Sequence, residues 1–389
     1  MVFTRIKGGI AAVRGIAVFG KHCGIKKQKK DLAVIYSEKP ATTAALYTTN
    51  RVKGAPLLVT QEHLRNQRAQ AVVINSGVAN VCTGQQGMKD ARETARIAGR
   101  ELGIPEEDVL IASTGLIGAY LPMDNIRKGL TGCKKNLGKH SSDAAEAILT
   151  TDNGKKEIAV KVGKCIIGAM AKGAGMIHPH MATMLAFIAT DAEFPANQLQ
   201  NMLRHSVDRS FNMLSVDHDM STSDMAILMA NGMAGRADPS AFQEALDYVC
   251  IELAKMIARD GEGATKLMIV HIKNAASQED AKKLAQGIIG SNLVKTALFG
   301  QDPNWGRILA AMGCSGAAFH PSKVGIWLGD EKIVEQGKGK TFNSGKVKRI
   351  LAADEVPITV DVGEGASSAT AFGCDLNYNY VKLNAAYHT

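Results

Sequence analysis

A threonine that follows a glycine-rich turn is the most informative candidate for chemistry in this sequence. Residues 172–191 read KGAGMIHPHMATMLAFIATD, in which a flexible, proline-containing turn leads into an apolar strand predicted to begin at Thr183. A threonine hydroxyl is a poor nucleophile until a base removes its proton, and an α-amine on the same residue is a suitable base. Such an amine titrates near pH ~8, so a substantial fraction accepts a proton at physiological pH. An internal threonine acquires that amine only when the peptide bond before it is cut.

The same pattern is also compatible with structural roles. Thr183 fits an ordinary strand residue, because β-branched side chains favour strands. GEGATK, residues 261–266, has the glycines of a phosphate-binding loop, but it fits the C-terminal end of a helix equally well. We therefore keep both interpretations of each segment open at the level of pattern.

A metal site is not expected near this turn. The four side chains that could supply ligands are His178, His180, Asp217 and Asp219. Pro179 separates the two histidines and no thiolate is near, which is unlike the usual zinc sites. We expect no metal and no bound cofactor.

Composition places the chain among ordinary globular proteins. It has 389 residues, of which 46% are apolar and 21% charged, and this length predicts two structural lobes. The seven cysteines are scattered and odd in number, which favours a reduced, cytoplasmic protein. No signal peptide or membrane-spanning run is evident. The net charge of +9 is spread along the chain apart from KKQKK at residues 26–30, which we interpret as a solvated loop, so we expect neither nucleic-acid nor membrane binding.

The elements that must position the threonine are short apolar strands alternating with amphipathic helices. Apolar runs predict strands at residues 31–36, 71–75, 108–114, 158–162, 165–170, 184–190, 266–272 and 356–362. Apolar residues at three-and-four spacing predict a helix over 242–257 and another over 199–211. Residues 336–346 (QGKGKTFNSGK) are predicted to form a surface loop. The predicted class is mixed α/β.

Several longer motifs make the chain resemble the ArgJ family of arginine biosynthesis, the ornithine acetyltransferases and glutamate N-acetyltransferases. The motifs are NSGVANVCTG (75–84), ASTGLIG (112–118), LTTD (149–152), KGAGMIHPHMATML (172–185), DGEGATK (260–266), VKTALFGQDPNWGRILAAMG (294–313) and the terminal NYVKLNAAYHT. The resemblance covers nearly the whole chain.

The resemblance implies a self-processing fold. It is an N-terminal-nucleophile sandwich with αββα layers and a smaller C-terminal α/β lobe within about residues 270–389. It also implies that the precursor cuts itself between Ala182 and Thr183. The products would be an alpha chain of residues 1–182 and a beta chain of residues 183–389, assembled as a heterotetramer of two alpha and two beta chains.

The implied reaction transfers an acetyl group from N2-acetyl-L-ornithine to L-glutamate through an acetyl-Thr183 ester, in a ping-pong cycle. Whether acetyl-CoA serves as a further acetyl donor stays open, since no coenzyme-A motif can be recognised. The oxyanion hole carried over from the family comprises Thr114 and Gly115. The substrate-binding residues carried over are Thr151, Lys172, Thr183, Glu262, Asn384 and Thr389.

Some positions depart from the family pattern. Val78 stands where asparagine is usual, Ala174 replaces serine, and His180 replaces asparagine close to the scissile bond. Residues 217–224 read DHDMSTSD rather than the usual DGDTSTND. These departures leave the rate and pH dependence of self-cleavage open.

Two other functions are compatible with the sequence. The first is an aminopeptidase or amidase of the same fold, in which water rather than glutamate accepts the acyl group. The second is a non-catalytic relative that stays uncut and serves as a binding or scaffold protein. Cleavage before Thr183 distinguishes the second function, and the identity of the acyl acceptor distinguishes the first.

Overall fold

The computed structural model describes residues 2–178 and 184–386. Four residues of the predicted site, His180, Ala182, Thr183 and Thr389, lie outside these ranges, so their predicted roles stay predictions.

Fifteen strands are present in the described residues. They are β1 (Phe3–Ile6), β2 (Ile16–Lys21), β3 (Leu32–Tyr47), β4 (Arg68–Val78), β5 (Val109–Leu116), β6 (Lys156–Val162), β7 (Cys165–Lys172), β8 (Leu185–Glu193), β9 (Met225–Arg236), β10 (Leu267–Ala275), β11 (Gly325–Leu328), β12 (Glu331–Glu335), β13 (Lys338–Gly339), β14 (Glu355–Asp361) and β15 (Ser367–Cys374).

Eleven α-helices connect these strands in the same ranges. They are α1 (Ala55–His63), α2 (Gly84–Leu102), α3 (Met123–Leu130), α4 (Ser141–Ala147), α5 (Ala196–Asp208), α6 (Pro239–Arg259), α7 (Gln278–Gly290), α8 (Asn292–Phe299), α9 (Trp305–Gly313), α10 (Ser344–Ala352) and α11 (Tyr378–Ala386).

The larger sheet has nine strands and folds over on itself at β3. Its order is β1-β6-β7-β8-β9-β3-β4-β5, with β2 also paired to β3. The pairing of β3 with β4 shifts register between Tyr36 and Ala41. The first part of β3 therefore pairs with β2, and Thr42–Tyr47 pairs with β9. One long strand thus belongs to both halves of the sheet.

The two halves pack face to face and are covered by helices. Along β8, Leu185, Phe187 and Ala189 point into a core shared with β2–β5, whereas Ala186 and Ile188 point into a core formed with α5 and α6. The outer faces of β2–β5 pack against α2 and α3 in another core. Alternation along buried strands explains this arrangement, because successive side chains face opposite sides. The layers are α/β/β/α, which confirms the predicted fold class.

A second sheet forms a separate layer towards the C-terminus. Its order is β13-β12-β11-β14-β10-β15, and β10 runs parallel to β14 and antiparallel to β15. Helices α7, α9 and α10 bury its apolar residues in a core of their own. Residues 260–266 connect the end of α6 to the start of β10, so this sheet is joined to the sandwich through the segment that carries Glu262.

The structure places most of the predicted strands and helices and corrects three details. The helix over 199–211 ends at Asp208, and Phe211 lies in a short 3-10 helix, because the chain turns before its apolar stripe ends. The loop predicted over 336–346 contains the short strand β13 and the first turn of α10. The KKQKK segment is only partly solvated, since Lys26 donates to the Leu149 carbonyl and Lys30 pairs with Asp143. No helix in the described part of the chain is both long and apolar enough to cross a membrane.

Candidate active site

The predicted site residues meet where strands from both halves of the sandwich end. Thr114 and Gly115 lie near the end of β5, and Lys172 is the last residue of β7. Lys172 pairs with Leu185, the first residue of β8. The strand β8 begins at Leu185, two positions after Thr183 in the sequence.

Lys172 is a buried cation surrounded by hydroxyl groups. Its side chain is 3% exposed, and its Nζ lies 2.8 Å from Thr150 Oγ1 and 3.4 Å from Thr114 Oγ1. Burial lowers the pKa of Lys172, and the carboxylates of Asp152, Asp224 and Glu262 oppose that shift while Lys156 adds to it. A lysine held in this way can bind an anionic group that enters the site.

Asp152 is a buried carboxylate close to Lys172. This carboxylate is fully buried, lies 3.9 Å from Lys172 Nζ and accepts hydrogen bonds from the N–H groups of Gly173 (2.7 Å) and Thr150 (3.0 Å). Burial alone would raise its pKa, but the charges of Lys172 and Lys156 lower the pKa below its usual range. Asp152 is therefore a carboxylate at neutral pH and balances part of the positive charge. Asp152 was not predicted as a site residue, although it is the last residue of the LTTD motif.

Glu262 and Asn384 form a second part of the site. Asn384, on α11, donates a hydrogen bond of 2.7 Å to Glu262 Oε2. The Glu262 main-chain N–H donates to the Ala174 carbonyl at 2.8 Å, which ties this loop to the segment that follows Lys172. The structure thus brings Glu262 and Asn384 together at a cavity that Lys172 also lines.

Gly175 leaves room for the Glu262 carboxylate. A Cβ atom placed on Gly175 would lie 2.5 Å from Glu262 Oε2, and the φ angle of this glycine is one that other residues adopt. Alanine at this position would therefore move Glu262 without straining the backbone.

If the chain catalyses the reaction that the family resemblance implies, we expect Gly175→Ala to reduce its kcat/KM by about tenfold to a hundredfold, because a displacement of about 1 Å at a reacting group has effects of this size. Steady-state kinetics of the purified variant measure the change. Gly313→Ala is the matched control, since a Cβ there meets no atom within 4 Å. Equal kcat/KM values for the two variants would contradict the position assigned to Glu262.

Gly115 has a backbone conformation that favours glycine and lies at the cavity. Its φ of 130° lies in a region that favours glycine, and a Cβ would approach the Gly77 backbone to 2.3 Å. Gly77 and Gly115 are paired in the β4–β5 ladder, and Thr114 is buried beside Lys172. The two strands can therefore pass this closely only with glycine, and the end of β5 bends towards the cavity.

These residues line a small cavity of about 90 Å³. Its walls include Thr114, Gly115, Thr151, Lys172, Glu262 and Asn384, together with Ser221, Thr222 and Ser223. The three hydroxyl residues were not predicted as site residues, because nothing in a short polar run shows that it faces a cavity. A larger cleft of about 690 Å³ lies beside α5, α6 and the second sheet, but none of the predicted residues lines it.

The segment that leads towards the predicted cleavage point is held in a turn. Asp217 accepts hydrogen bonds from the N–H groups of Met176 (2.6 Å) and Ile177 (2.7 Å), and Met176 has a left-handed φ of 57°. A residue other than glycine seldom adopts this conformation, so the turn is strained locally. The glycine-containing part of the predicted turn, residues 173–177, is therefore held by hydrogen bonds, and Pro179 lies outside the described residues.

Asp224 holds the chain on the other side of the predicted cleavage point. Its Oδ1 accepts a hydrogen bond of 3.0 Å from the N–H of Met184, and burial raises its pKa well above the usual range. Met184 also accepts a main-chain hydrogen bond from Met225. The residue that follows Thr183 is thus fixed to the start of β9.

Comparison with known proteins agrees with these features. The sequence profile of the ArgJ family matches residues 17–389. The arginine biosynthesis bifunctional protein ArgJ of Symbiobacterium thermophilum is 49% identical over 99% of both chains, and the Listeria monocytogenes protein of the same name is 46% identical over 99% of both. The chain belongs to the ArgJ family.

One of two similar solved structures supports this grouping, the first named here. The crystal structure of the Bacillus halodurans arginine biosynthesis bifunctional protein ArgJ is 41% identical, with a TM-score of 0.52, and the whole of that chain matches 53% of this one. The ornithine acetyltransferase of Mycobacterium tuberculosis, solved in complex with ornithine, is 36% identical over 46% of this chain and 98% of its own, with a TM-score of 0.43. The predicted resemblance is confirmed.

Proposed function

We propose that this ArgJ-family chain transfers an acetyl group from N2-acetyl-L-ornithine to L-glutamate, giving L-ornithine and N-acetyl-L-glutamate. The observation that carries the proposal is that the buried Lys172 and the hydrogen-bonded Glu262–Asn384 pair line one small cavity. An amino acid offers a carboxylate and an ammonium group, and these two walls have the complementary charges. The names of the curated relatives support arginine biosynthesis as the pathway.

Self-cleavage between Ala182 and Thr183 is part of the proposal. The hydroxyl of Thr183 attacks the Ala182 carbonyl, and water hydrolyses the resulting ester to leave Thr183 with a free α-amine. The strained turn at Met176 and the fixed Met184 support this step, because they hold the chain on both sides of the bond. The length of the Bacillus halodurans chain agrees with it, since the whole of that chain matches 53% of this one and a chain of residues 183–389 would have the same share.

In the first half of the cycle, the Thr183 hydroxyl attacks the acetyl carbonyl of N-acetylornithine. The Thr183 α-amine takes the hydroxyl proton and returns it to the departing ornithine nitrogen, so that ornithine leaves as an amine and an acetyl ester remains. Thr114 and Gly115 stabilise the negative oxygen of the tetrahedral intermediate. Loss of one such donor typically costs about a hundredfold or more in rate.

In the second half, glutamate enters the same cavity and its amine attacks the ester. The ammonium group of glutamate must first lose a proton, and the Glu262 carboxylate is placed to hold or accept it. Lys172 binds the substrate carboxylate in both halves, with the hydroxyl groups of Thr150 and Thr151 beside it. Thr389 is proposed to contribute to substrate binding from the C-terminus.

Three further features belong to the proposal and rest on family likeness alone. The cleaved chains would assemble as a heterotetramer of two alpha and two beta chains, the smaller C-terminal lobe would belong to the beta chain, and the enzyme would act in the cytoplasm. Acetyl-CoA stays a candidate second donor. Supplying acetyl-CoA and glutamate without N-acetylornithine tests that activity directly.

The runner-up is an aminopeptidase or amidase in which water accepts the acyl group. Incubation of the purified protein with N-acetylornithine, with and without glutamate, distinguishes the two functions. The proposal expects N-acetylglutamate to form in amounts equal to the ornithine released, with little free acetate. Acetate released at the same rate whether or not glutamate is present would favour the hydrolase instead.

A further inference from the structure

We propose that Lys156 is a positioning residue for acetyl transfer, which binds Asp152 and Asp260 together and so fixes the separation of Lys172 and Glu262. This inference rests on the proposed function and concerns a residue that lies outside the substrate cavity. It assigns a role to a buried lysine that the mechanism above does not use.

Lys156 joins two carboxylates in a buried position. Its side chain, at the start of β6, is 2% exposed. Its Nζ lies 2.7 Å from Asp152 Oδ1, forms a close ion pair with Asp260 Oδ2 and lies 3.2 Å from the Gly154 carbonyl. A lysine is rarely buried to this extent unless its charge is paired.

Asp152 connects this ion pair to one wall of the cavity. Its carboxylate accepts the N–H of Gly173, the residue after Lys172, and the N–H of Thr150, whose hydroxyl contacts Lys172. A movement of Asp152 would therefore shift the lysine and its hydroxyl partner together.

Asp260 connects the same lysine to the other wall. It follows the last residue of α6 and precedes Glu262 by two residues. Its carboxylate also accepts the N–H groups of Asn153 (3.1 Å) and Gly154 (3.3 Å). The loop that carries Glu262 is thus attached to the loop that carries Asp152.

Charge explains why Lys156 cannot be replaced by an apolar residue at no cost. Without it, two carboxylates would share a nearly dry position and repel each other, and one would move towards water or take up a proton. Asp152 and Lys156 precede the proposed cleavage point, whereas Asp260 follows it. The ion pair therefore also links the two proposed chains at the site.

The first test replaces Lys156 by methionine and by arginine in the full-length chain. We expect Lys156→Met to lower kcat/KM for N-acetylornithine by about a hundredfold, since misplacing binding groups by about 1 Å has effects of this size. Lys156→Arg, which keeps the charge, is expected to recover part of the loss. Lys283→Met, which removes a lysine from an exposed pair with Glu279, is the control and should match the original protein.

The second test separates positioning from a general loss of stability. Kinetics of Lys156→Met are measured in the original chain and in a Glu262→Gln chain. If Lys156 acts through Glu262, the Lys156→Met loss shrinks by about fivefold or more in the Glu262→Gln chain, because residues that act together are not additive. An identical loss in both chains, or no loss in either, overturns the inference. An original protein without acetyl transfer would contradict the proposed function instead, so the two failures are distinguishable.

Discussion

Thr183→Ala is expected to yield a single uncut chain and to reduce acetyl transfer by about 10⁴-fold or more, as removal of a covalent nucleophile does in other enzymes. Both effects have one cause in the proposed mechanism, because the same hydroxyl would open the peptide bond and later carry the acetyl group. Mass spectrometry under denaturing conditions measures cleavage, and release of ornithine measures activity.

Thr183→Ser is the matched variant for this result. It keeps a hydroxyl group at the same position, so we expect two fragments and a measurable residual activity. A Thr183→Ala protein that is cut at the same bond, or that transfers acetyl groups as fast as the original, would contradict the assignment of the nucleophile.

Lys172→Met is expected to have the second largest effect, with kcat/KM for N-acetylornithine lower by about 10²- to 10³-fold. Breaking a buried ion pair by removing one partner costs about 3–5 kcal/mol, and here the substrate carboxylate loses its partner as well. The loss should fall mainly on KM if Lys172 binds the carboxylate in the ground state and the transition state alike. Steady-state kinetics with varied N-acetylornithine give both constants.

Lys295→Met is the control for burial. Lys295 is also a buried lysine, but it donates to the Cys374 carbonyl in the C-terminal part of the fold and does not line the cavity. We expect it to lower the melting temperature without raising KM. A Lys172→Met protein with an unchanged KM and kcat would contradict the placement of the substrate carboxylate.

Most strands and helices of the fold could be predicted from the sequence, because the apolar patterns that identify them are local. Continuous apolar runs identify β4, β5 and β8 one strand at a time, and such runs are expected where both faces of a strand pack against a core, as they do here. The bend of β3 was not predicted, because it depends on which strands pair with its two parts. The end of α5 and the end of the loop before α10 were misplaced for a related reason, since capping and turns decide boundaries.

The residues of the site could be predicted from the sequence only in part. Lys172, Thr114, Glu262 and Asn384 were predicted through the resemblance, and the structure brings all four to one cavity. The Asp152–Lys156–Asp260 contacts were not predicted, because Asp260 lies 104 residues from Lys156 and no periodicity links them. Long-range charge pairing of this kind follows from the tertiary fold and leaves no mark in a single sequence.

Three of the departures from the family pattern have contacts that the structure describes. His218, where the family usually has glycine, places its Nδ1 2.9 Å from His178 Nδ1 and adopts a left-handed φ of 73°. Val78 keeps a structural role, since its carbonyl accepts a hydrogen bond from Asn75. Ala174 is buried and its carbonyl accepts the Glu262 N–H, so its main chain keeps the two walls together whichever small side chain is present.

The central claim is that Thr183 becomes an N-terminal nucleophile that carries the acetyl group. The most direct measurement is the intact mass of the purified protein after brief incubation with N-acetylornithine in the absence of glutamate. We expect two fragments that divide before Thr183, with one acetyl group on the fragment that begins at Thr183 and its loss when glutamate is added. A single uncut chain, or fragments that never gain an acetyl group while ornithine is released, would contradict it.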